Sequence, residues 1–386
     1  MKIAFFTNFI NHHQVHVADE LYNTEGVEYT FVATIPLPES FRRSGYPDYS
    51  TRPYLLNAFE SKAKKEEAML LAFDADVVII GSAPEEYVRK RIESGKLTFR
   101  YSERWFKSRS WYLSGPRAWF NYYKNHIRYK NKPLYMLAAS AYTINDVYAI
   151  GAYKNKVFKW GYFPKVNYDV NNLNNGSKSC RSEKISIMWC ARFIDWKHPE
   201  LPVLLAKMLK DSGYDFTLDM YGSGDEIDKI HNLILSLSVD DVVYLRGNLP
   251  NDMILEEMKN HDIFLFTSDK NEGWGAVLNE AMSCGCAVVS SDKIGSTPFL
   301  ITNEENGLIF KSENIKSLYT QVKRLFGNSE LRKKISSNAV YTMQQVWNPK
   351  NATKQLLNLI NALQKHDESM IPIDGPCSRA EVYKQQ

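Results

Sequence analysis

The chain has 386 residues, which exceeds the usual size of a single hydrophobic core, so two domains are expected. Apolar residues account for 44% and charged residues for 24% of the sequence, and it contains neither an apolar run long enough to cross a membrane nor a recognisable signal peptide. The five cysteines are scattered without a Cys-x-x-Cys pair, which favours reduced thiols in a cytoplasmic protein and disfavours a zinc site.

Short apolar runs alternate with helical patterns in the first half of the chain. Six of these runs predict strands, at 2–8, 29–34, 76–82, 97–102, 135–140 and 156–163. Strands that alternate with helices indicate a parallel sheet with helices on both faces. The sequence therefore predicts a Rossmann-like domain over 1–166, followed by an Asn- and Ser-rich linker at 167–184.

The same alternation returns after the linker. Strands are predicted at 185–191, 216–222, 242–247, 263–268, 286–291 and 307–310. They define a second Rossmann-like domain over 185–348, and the fold class is α/β, with two doubly wound parallel-sheet domains facing a cleft. The helical stretch 315–366 is interrupted near Pro349. We expect the segment 349–386 to form a helix that crosses back to the first domain, and a tail.

The segment 88–132 is strongly basic, although the net charge of the chain is only +4. It contains 13 lysines and arginines against two glutamates, together with Trp105, Trp111 and Trp119. One interpretation is an ordinary solvated helical face. Another is a surface for anionic lipid headgroups, because cations and aromatic rings together favour the membrane interface. Nucleic acid is not expected as a partner, because no nucleic-acid-binding motif accompanies the charge.

Open parallel sheets bind ligands beyond the carboxyl ends of their strands. In the second half these positions hold the following residues: Arg192, Lys197, Gly222, Glu272, Gly273, Trp274, Gly275 and Glu280. Arginine and lysine suit phosphates, and glycines let backbone N–H groups approach a ligand at the start of a helix. A carboxylate beside phosphates is more suited to accepting hydrogen bonds from a ribose diol. We expect the helix to begin near Gly275 and to place Glu280 on a face with Ser283.

Other interpretations of these residues stay open. Arg192 and Lys197 suit a surface ion pair with Asp195, and the turn that begins at Gly222 lacks the third glycine of a dinucleotide fingerprint. No spacing among the histidines at 12, 13 and 16 matches a zinc site. The Asp-x-Asp pattern at 74–76 precedes its strand, so we reject it as a metal motif.

The segment from Glu272 to Gly285 resembles the E-x7-E signature of the GT4 family of retaining glycosyltransferases with the GT-B fold. The stretch from Ala191 to Lys197 is similar to that family's Gly-Arg-x4-Lys segment, with alanine in place of glycine. The resemblance covers roughly 185–330 well, and the first half only in architecture. It implies that Arg192 and Lys197 hold the donor diphosphate, that Glu272 and the 273–275 backbone contact the donor sugar and phosphates, and that Glu280 binds ribose.

The resemblance further implies a metal-independent enzyme without a cofactor, whose co-substrate is a nucleoside-diphosphate-sugar. The acceptor would be a hydroxyl of a glycan or lipid-linked glycan in surface polysaccharide biosynthesis, at the inner face of the membrane. Many members carry a histidine after a strand of the first domain, where this chain has Ser102, Glu103 and Arg104. The candidates for an acceptor or first-domain cleft site are therefore His12, His13, Glu103 and Arg104.

Three alternatives remain at this point. One is a different GT-B enzyme, such as a nucleotide-sugar epimerase. Another is a phosphorylase, although no pyridoxal phosphate lysine site is evident. The last is a non-catalytic protein that binds nucleotide-sugars.

Overall fold

The computed structural model describes residues 1–39, 47–107, 115–165 and 184–383 and forms two compact units. The first comprises Met1–Lys165 and Trp347–Gln386, and the second comprises Val166–Val346. Apart from Lys184, the predicted linker lies outside the described residues. We describe the two units, here called the first and second domains, separately.

The first domain is built on seven parallel strands in the order β3-β2-β1-β4-β5-β6-β7. The strands are β1 (Lys2–Thr7), β2 (Glu28–Ala33), β3 (Leu55–Asn57), β4 (Val77–Ile80), β5 (Thr98–Ser102), β6 (Leu134–Ala138) and β7 (Val157–Lys159). The helices are α1 (Val15–Tyr22), α2 (Lys62–Asp74), α3 (Arg89–Glu93), α4 (Pro116–Asn125) and α5 (Thr143–Ala149). The six predicted strands are all present, and the prediction missed the edge strand β3.

The second domain contains six parallel strands in the order β10-β9-β8-β11-β12-β13. The strands are β8 (Ile185–Cys190), β9 (Phe216–Tyr221), β10 (Val243–Gly247), β11 (Ile263–Phe266), β12 (Ala287–Ser291) and β13 (Leu308–Phe310). The helices are α6 (Glu200–Asp211), α7 (Ile227–Ser236), α8 (Asn251–Asn260), α9 (Val277–Ser283), α10 (Thr297–Leu300), α11 (Ile315–Gly327) and α12 (Ser329–Gln345). Two doubly wound parallel sheets confirm the predicted α/β fold class.

The long helical stretch at the end of the second half is divided by two asparagines. Asn328 and Asn348 accept hydrogen bonds from backbone N–H groups three residues ahead, and each thereby caps a new helix. The last helix, α13 (Pro349–Lys365), packs against α1 and buries Leu356 and Leu359. The chain therefore returns to the first domain after completing the second.

Candidate active site

The strand order of the second sheet reverses between β8 and its neighbour β11, and the loops after these strands form the candidate site. Ligands of open α/β sheets bind at such a switch point, because the two flanking loops diverge there. Arg192 and Lys197 follow β8, Gly222 follows β9 on the other side of β8, and Glu272 follows β11. The fold thus places these four predicted residues at one edge of the second sheet.

Lys197 and Glu272 form an ion pair although they lie 75 positions apart in the chain. Both side chains are buried, and the Ser268 hydroxyl donates a second hydrogen bond to the Glu272 carboxylate at 3.1 Å. The Lys197 ammonium also lies 4.4 Å from the centre of the Trp196 ring. Lys197 therefore pairs with Glu272, and the surface ion pair with Asp195 that the sequence left open is not formed.

Arg192 is exposed at the end of β8. Its guanidinium carbon lies 5.9 Å from the Trp196 ring, and no carboxylate in the described part of the chain forms an ion pair with it. The N–H groups of Arg192 therefore face solvent, where they can donate hydrogen bonds to an incoming phosphate.

Two glycines of the site cannot be replaced without strain. Gly222 has a φ of +129°, and a Cβ there would lie 2.0 Å from the Ala191 carbonyl oxygen. Gly275 has a φ of +85°, and a Cβ there would lie 2.4 Å from a ring atom of Phe266. Both positions need glycine because of positive φ and because a backbone carbonyl in one case and an aromatic ring in the other approach so closely.

The Trp274 side chain does not face the site. It is fully buried, and its indole N–H donates to the Asn279 side-chain oxygen at 2.9 Å. A bound donor could therefore contact only the backbone of Trp274, together with the backbone of Gly273 and Gly275.

Glu280 is a partly buried carboxyl group on α9. This helix begins at Val277, two residues after Gly275, and Glu280 and Ser283 lie three positions apart on one helical face, as expected. Ser283 is buried, with its hydroxyl donating to the Asn279 carbonyl. Burial raises the pKa of Glu280 to about 7, and a hydrogen bond with the Asn251 side chain acts in the opposite direction.

The first domain contains a separate cavity of about 670 Å³ beyond the carboxyl ends of β1, β4 and β5. His13, Glu103 and Arg104, three of the first-domain candidates, line this cavity together. His12 lies beside it, with its ring 3.8 Å from that of His13, and is not among the lining residues. The fold thus brings together the residues that follow the first and fifth strands.

Hydrogen bonds and stacked rings fix the walls of this cavity. Glu103 accepts from the Tyr162 hydroxyl at 2.6 Å and from the Lys107 ammonium at 2.5 Å. The His13 ring stacks on Tyr162 at 4.5 Å, and burial lowers the pKa of His13 to about 3, so the imidazole is neutral at neutral pH. The sequence prediction missed Tyr162 and Lys107, although both follow strands of the sheet.

Only some of the cations in the basic segment 88–132 lie on the protein surface. Arg91 is buried and donates to backbone carbonyls, including that of Ala75 at 2.6 Å, and Arg100 forms two hydrogen bonds with the Glu85 carboxylate. These two cations hold the fold together and do not form part of an open basic surface. Trp111 lies outside the described residues.

The helix α4 within this segment buries no side chain. Its exposed aromatic residues are Trp119, Phe120 and Tyr123, and the Lys124 ammonium lies 6.0 Å from the Phe120 ring. These three side chains form an exposed aromatic patch on the helix. Among the described residues, no helix has the length and apolar character that a membrane span requires.

Residues 174–340 match the family described as Glycosyl transferases group 1. An uncharacterized glycosyltransferase of Methanocaldococcus jannaschii is 24% identical over 181 residues, or 47% of this chain and 46% of that protein. The poly(ribitol-phosphate) alpha-N-acetylglucosaminyltransferase of Staphylococcus aureus is 26% identical over 208 residues, or 50% of this chain and 41% of that protein. The chain thus matches less than half the length of these two relatives.

Solved structures resemble both domains. HepE of Anabaena, solved with UDP, has a TM-score of 0.67 at 13% identity and covers 94% of this chain and 100% of its own. A glycosyltransferase from Rickettsia africae has a TM-score of 0.67 at 16% identity and covers 94% of this chain and 98% of its own. At these identities the likeness shows the fold alone, and that fold is GT-B, with two Rossmann-like domains in one chain. The match of residues 174–340 to the glycosyl transferases group 1 family agrees with the resemblance that the sequence motifs indicate.

Proposed function

We propose that the protein is a retaining glycosyltransferase that moves a sugar from a nucleoside-diphosphate-sugar to a hydroxyl group of a glycan. The observation that carries this proposal is the contact of Lys197 with Glu272 at the switch point of the second sheet, with Arg192 and Gly222 at the same edge of that sheet. Cations of this kind, next to a glycine-lined backbone, suit the diphosphate of an activated sugar better than they suit a purely structural role.

The reaction breaks the bond between the anomeric carbon and the diphosphate oxygen and forms a bond from that carbon to the acceptor oxygen. The acceptor proton passes to the departing phosphate oxygen on the same face of the sugar, which retains the configuration without an enzymic nucleophile. Arg192 and Lys197 stabilise the negative charge on the departing diphosphate, so the chemistry needs no metal ion.

Glu272 has two functions in this proposal. In the free protein it holds the Lys197 ammonium in place, and with the donor bound it accepts hydrogen bonds from sugar hydroxyls while Lys197 turns to the phosphates. Glu280 accepts hydrogen bonds from the ribose diol and therefore acts as a carboxylate. Because burial raises the pKa of Glu280 to about 7, we expect nucleotide affinity to fall as the pH drops below 7.

The relatives support a role in polysaccharide synthesis with a uridine nucleotide. HepE was solved with UDP-glucose, and one relative, from Campylobacter jejuni, is named as a transferase onto a diphospho-undecaprenol-linked sugar. A lipid-linked acceptor also agrees with the exposed aromatic face of α4, which we propose rests on an anionic membrane surface on the cytoplasmic side. The first-domain cavity would then receive the acceptor glycan.

A thermal-shift screen with UDP-, GDP-, ADP- and CMP-sugars tests the donor, because a ligand that binds only the native state raises its melting temperature. Transfer from the selected donor is then compared in three proteins: the unaltered chain, Lys197→Ala, and Lys207→Ala as a control. Lys207 is paired with Asp211 on α6, away from the switch point. We expect Lys197→Ala to reduce turnover about 100-fold or more, as for the loss of other charge-stabilising donors.

Normal turnover of Lys197→Ala would contradict the phosphate role. Binding without transfer to any glycan would favour a non-catalytic protein. Conversion of the donor without a glycoside product would favour an epimerase.

A further inference from the structure

A second polar cluster lies next to the candidate active site, on three connections of the second domain. His198 follows Lys197, Asp269 follows β11, and Glu313 lies between β13 and α11. One ligand atom from each of these three side chains lies within 4.8 Å of the others, and no other such group of metal-ligating side chains occurs in the parts of the chain that the structure describes. The proposed transfer reaction makes no use of them.

The imidazole of His198 is oriented as in a metal ligand. Its Nδ1 lies 2.8 Å from Glu200 Oε1, which fixes the proton on Nδ1. Its Nε2 is buried and has no hydrogen-bond partner in the described part of the chain, and it points toward Asp269 Oδ2 at 3.8 Å and Glu313 Oε1 at 3.6 Å. Metal-bound histidines commonly donate their other ring N–H to a carboxylate in this way.

The separations also fit a bound ion. Two metal–ligand bonds of about 2.1 Å at a tetrahedral angle place the ligand atoms about 3.4 Å apart. Nε2 is a few tenths of an ångström further than this from each carboxylate oxygen.

We propose that His198, Asp269 and Glu313 bind a divalent transition-metal ion, with Glu200 orienting the imidazole. An imidazole together with two carboxylates favours ions such as Zn²⁺ and Mn²⁺ over Mg²⁺ and Ca²⁺, which prefer oxygen ligands alone. The ion has a structural role here and takes no part in the transfer chemistry.

Such an ion would connect the two loops that carry the Lys197–Glu272 pair. The Asp269 N–H donates to the Trp196 carbonyl at 3.0 Å, and the Asp269 carbonyl accepts from the Glu272 N–H at 3.1 Å. Coordination by His198 and Asp269 therefore fixes the backbone on both sides of that pair.

The test uses the full chain without a histidine tag, stripped with EDTA and then titrated with ZnCl2 or MnCl2. We expect saturable binding of one ion per chain by calorimetry. At about a hundredfold excess over Kd, we expect the melting temperature to rise by about 5 °C. Mg²⁺ and Ca²⁺ at the same concentrations should have little effect.

Two variants and one control locate the site. His198 and Glu313 have φ values of 51° and 60°, so His198→Asn and Glu313→Asn keep a residue that tolerates this backbone conformation. The first should abolish binding and the second should weaken it at least tenfold. His231→Gln, at an exposed position on α7, should bind as the unaltered chain does.

Absence of saturable binding, or equal binding by His198→Asn, would overturn the proposal and leave His198 as a protonated side chain among carboxylates. Because no sugar nucleotide is used, this outcome is independent of whether the protein is a glycosyltransferase.

Discussion

Replacing Glu280 by glutamine should make the protein more stable and at the same time weaken its binding of nucleotide. Glutamine has nearly the same shape as glutamate and can keep the hydrogen bond with Asn251, but it carries no charge. In the free protein the Glu280 carboxylate is poorly solvated, and burial therefore raises its pKa to about 7. Nucleotide binding is expected to need the charged form, which accepts hydrogen bonds from two hydroxyl groups of the ribose.

The size of the effect depends on pH. Glutamate has a pKa near 4.5 in the unfolded chain, so between this value and about 7 the native state binds the proton more tightly than the unfolded state does. The contribution of Glu280 to stability is therefore fully present below pH 4.5 and is lost as the pH rises through 7. A pKa shift of this size lowers the free energy of unfolding by about 3 kcal/mol at pH 8. The uncharged glutamine should restore much of that stability.

Urea denaturation at pH 5 and pH 8 measures the free energy of unfolding, and calorimetry with UDP measures nucleotide affinity. We expect Glu280→Gln to be more stable than the unaltered chain at pH 8, with a smaller difference at pH 5, and to bind UDP at least tenfold more weakly. Glu256→Gln, at an exposed position on α8, is the control and should change neither quantity. A variant that gains no stability at pH 8, or that binds UDP normally, would refute the reasoning.

Three further predictions address other parts of the chain. Gly275→Ala should lower stability by about 1–3 kcal/mol in urea denaturation and weaken UDP binding, because its φ of +85° and the adjacent aromatic ring exclude a Cβ; normal UDP affinity would argue against a backbone role. Serine at Trp119, Phe120 and Tyr123 together should reduce sedimentation with vesicles containing anionic lipid without changing UDP affinity; unchanged sedimentation would exclude α4 as the docking surface. Glu103→Gln should raise the KM for acceptor and leave that for donor unchanged in initial-rate assays, since Glu103 lines the first-domain cavity; a change in donor KM alone would contradict this assignment.

The sequence predicted the sheets well because their central strands are buried on both faces. Strand β11, for example, is four consecutive apolar residues that are all buried, and such runs stand out from the polar loops around them. The edge strand β3 has three partly exposed residues and no comparable pattern, so it escaped prediction. Helix α9 begins two residues after the glycine near which the sequence predicts its start, because glycine composition marks a loop-to-helix junction without fixing the first helical residue.

The residues of the site were easier to name than their contacts. The spacing of Arg192 and Lys197 identified both cations, but the choice of Glu272 as the partner of Lys197 depends on the packing of two loops far apart in the chain. Likewise, the sequence pattern around Arg91 indicates a surface cation in a basic segment. It is buried and donates to the backbone carbonyls of Ala75 and Asp76, which follow α2, and no local pattern reveals that contact.

If Lys197 and Glu272 hold the donor as proposed, their buried pairing also restricts how the donor preference can be redesigned. Truncation of one partner leaves the other charge stranded in a dry environment, at a cost of several kcal/mol. A library that randomises either position alone will therefore combine losses of stability with changes in donor choice. Varying both positions together, with each new pair chosen to be neutral or oppositely charged, separates the effects on folding from the effects on donor choice.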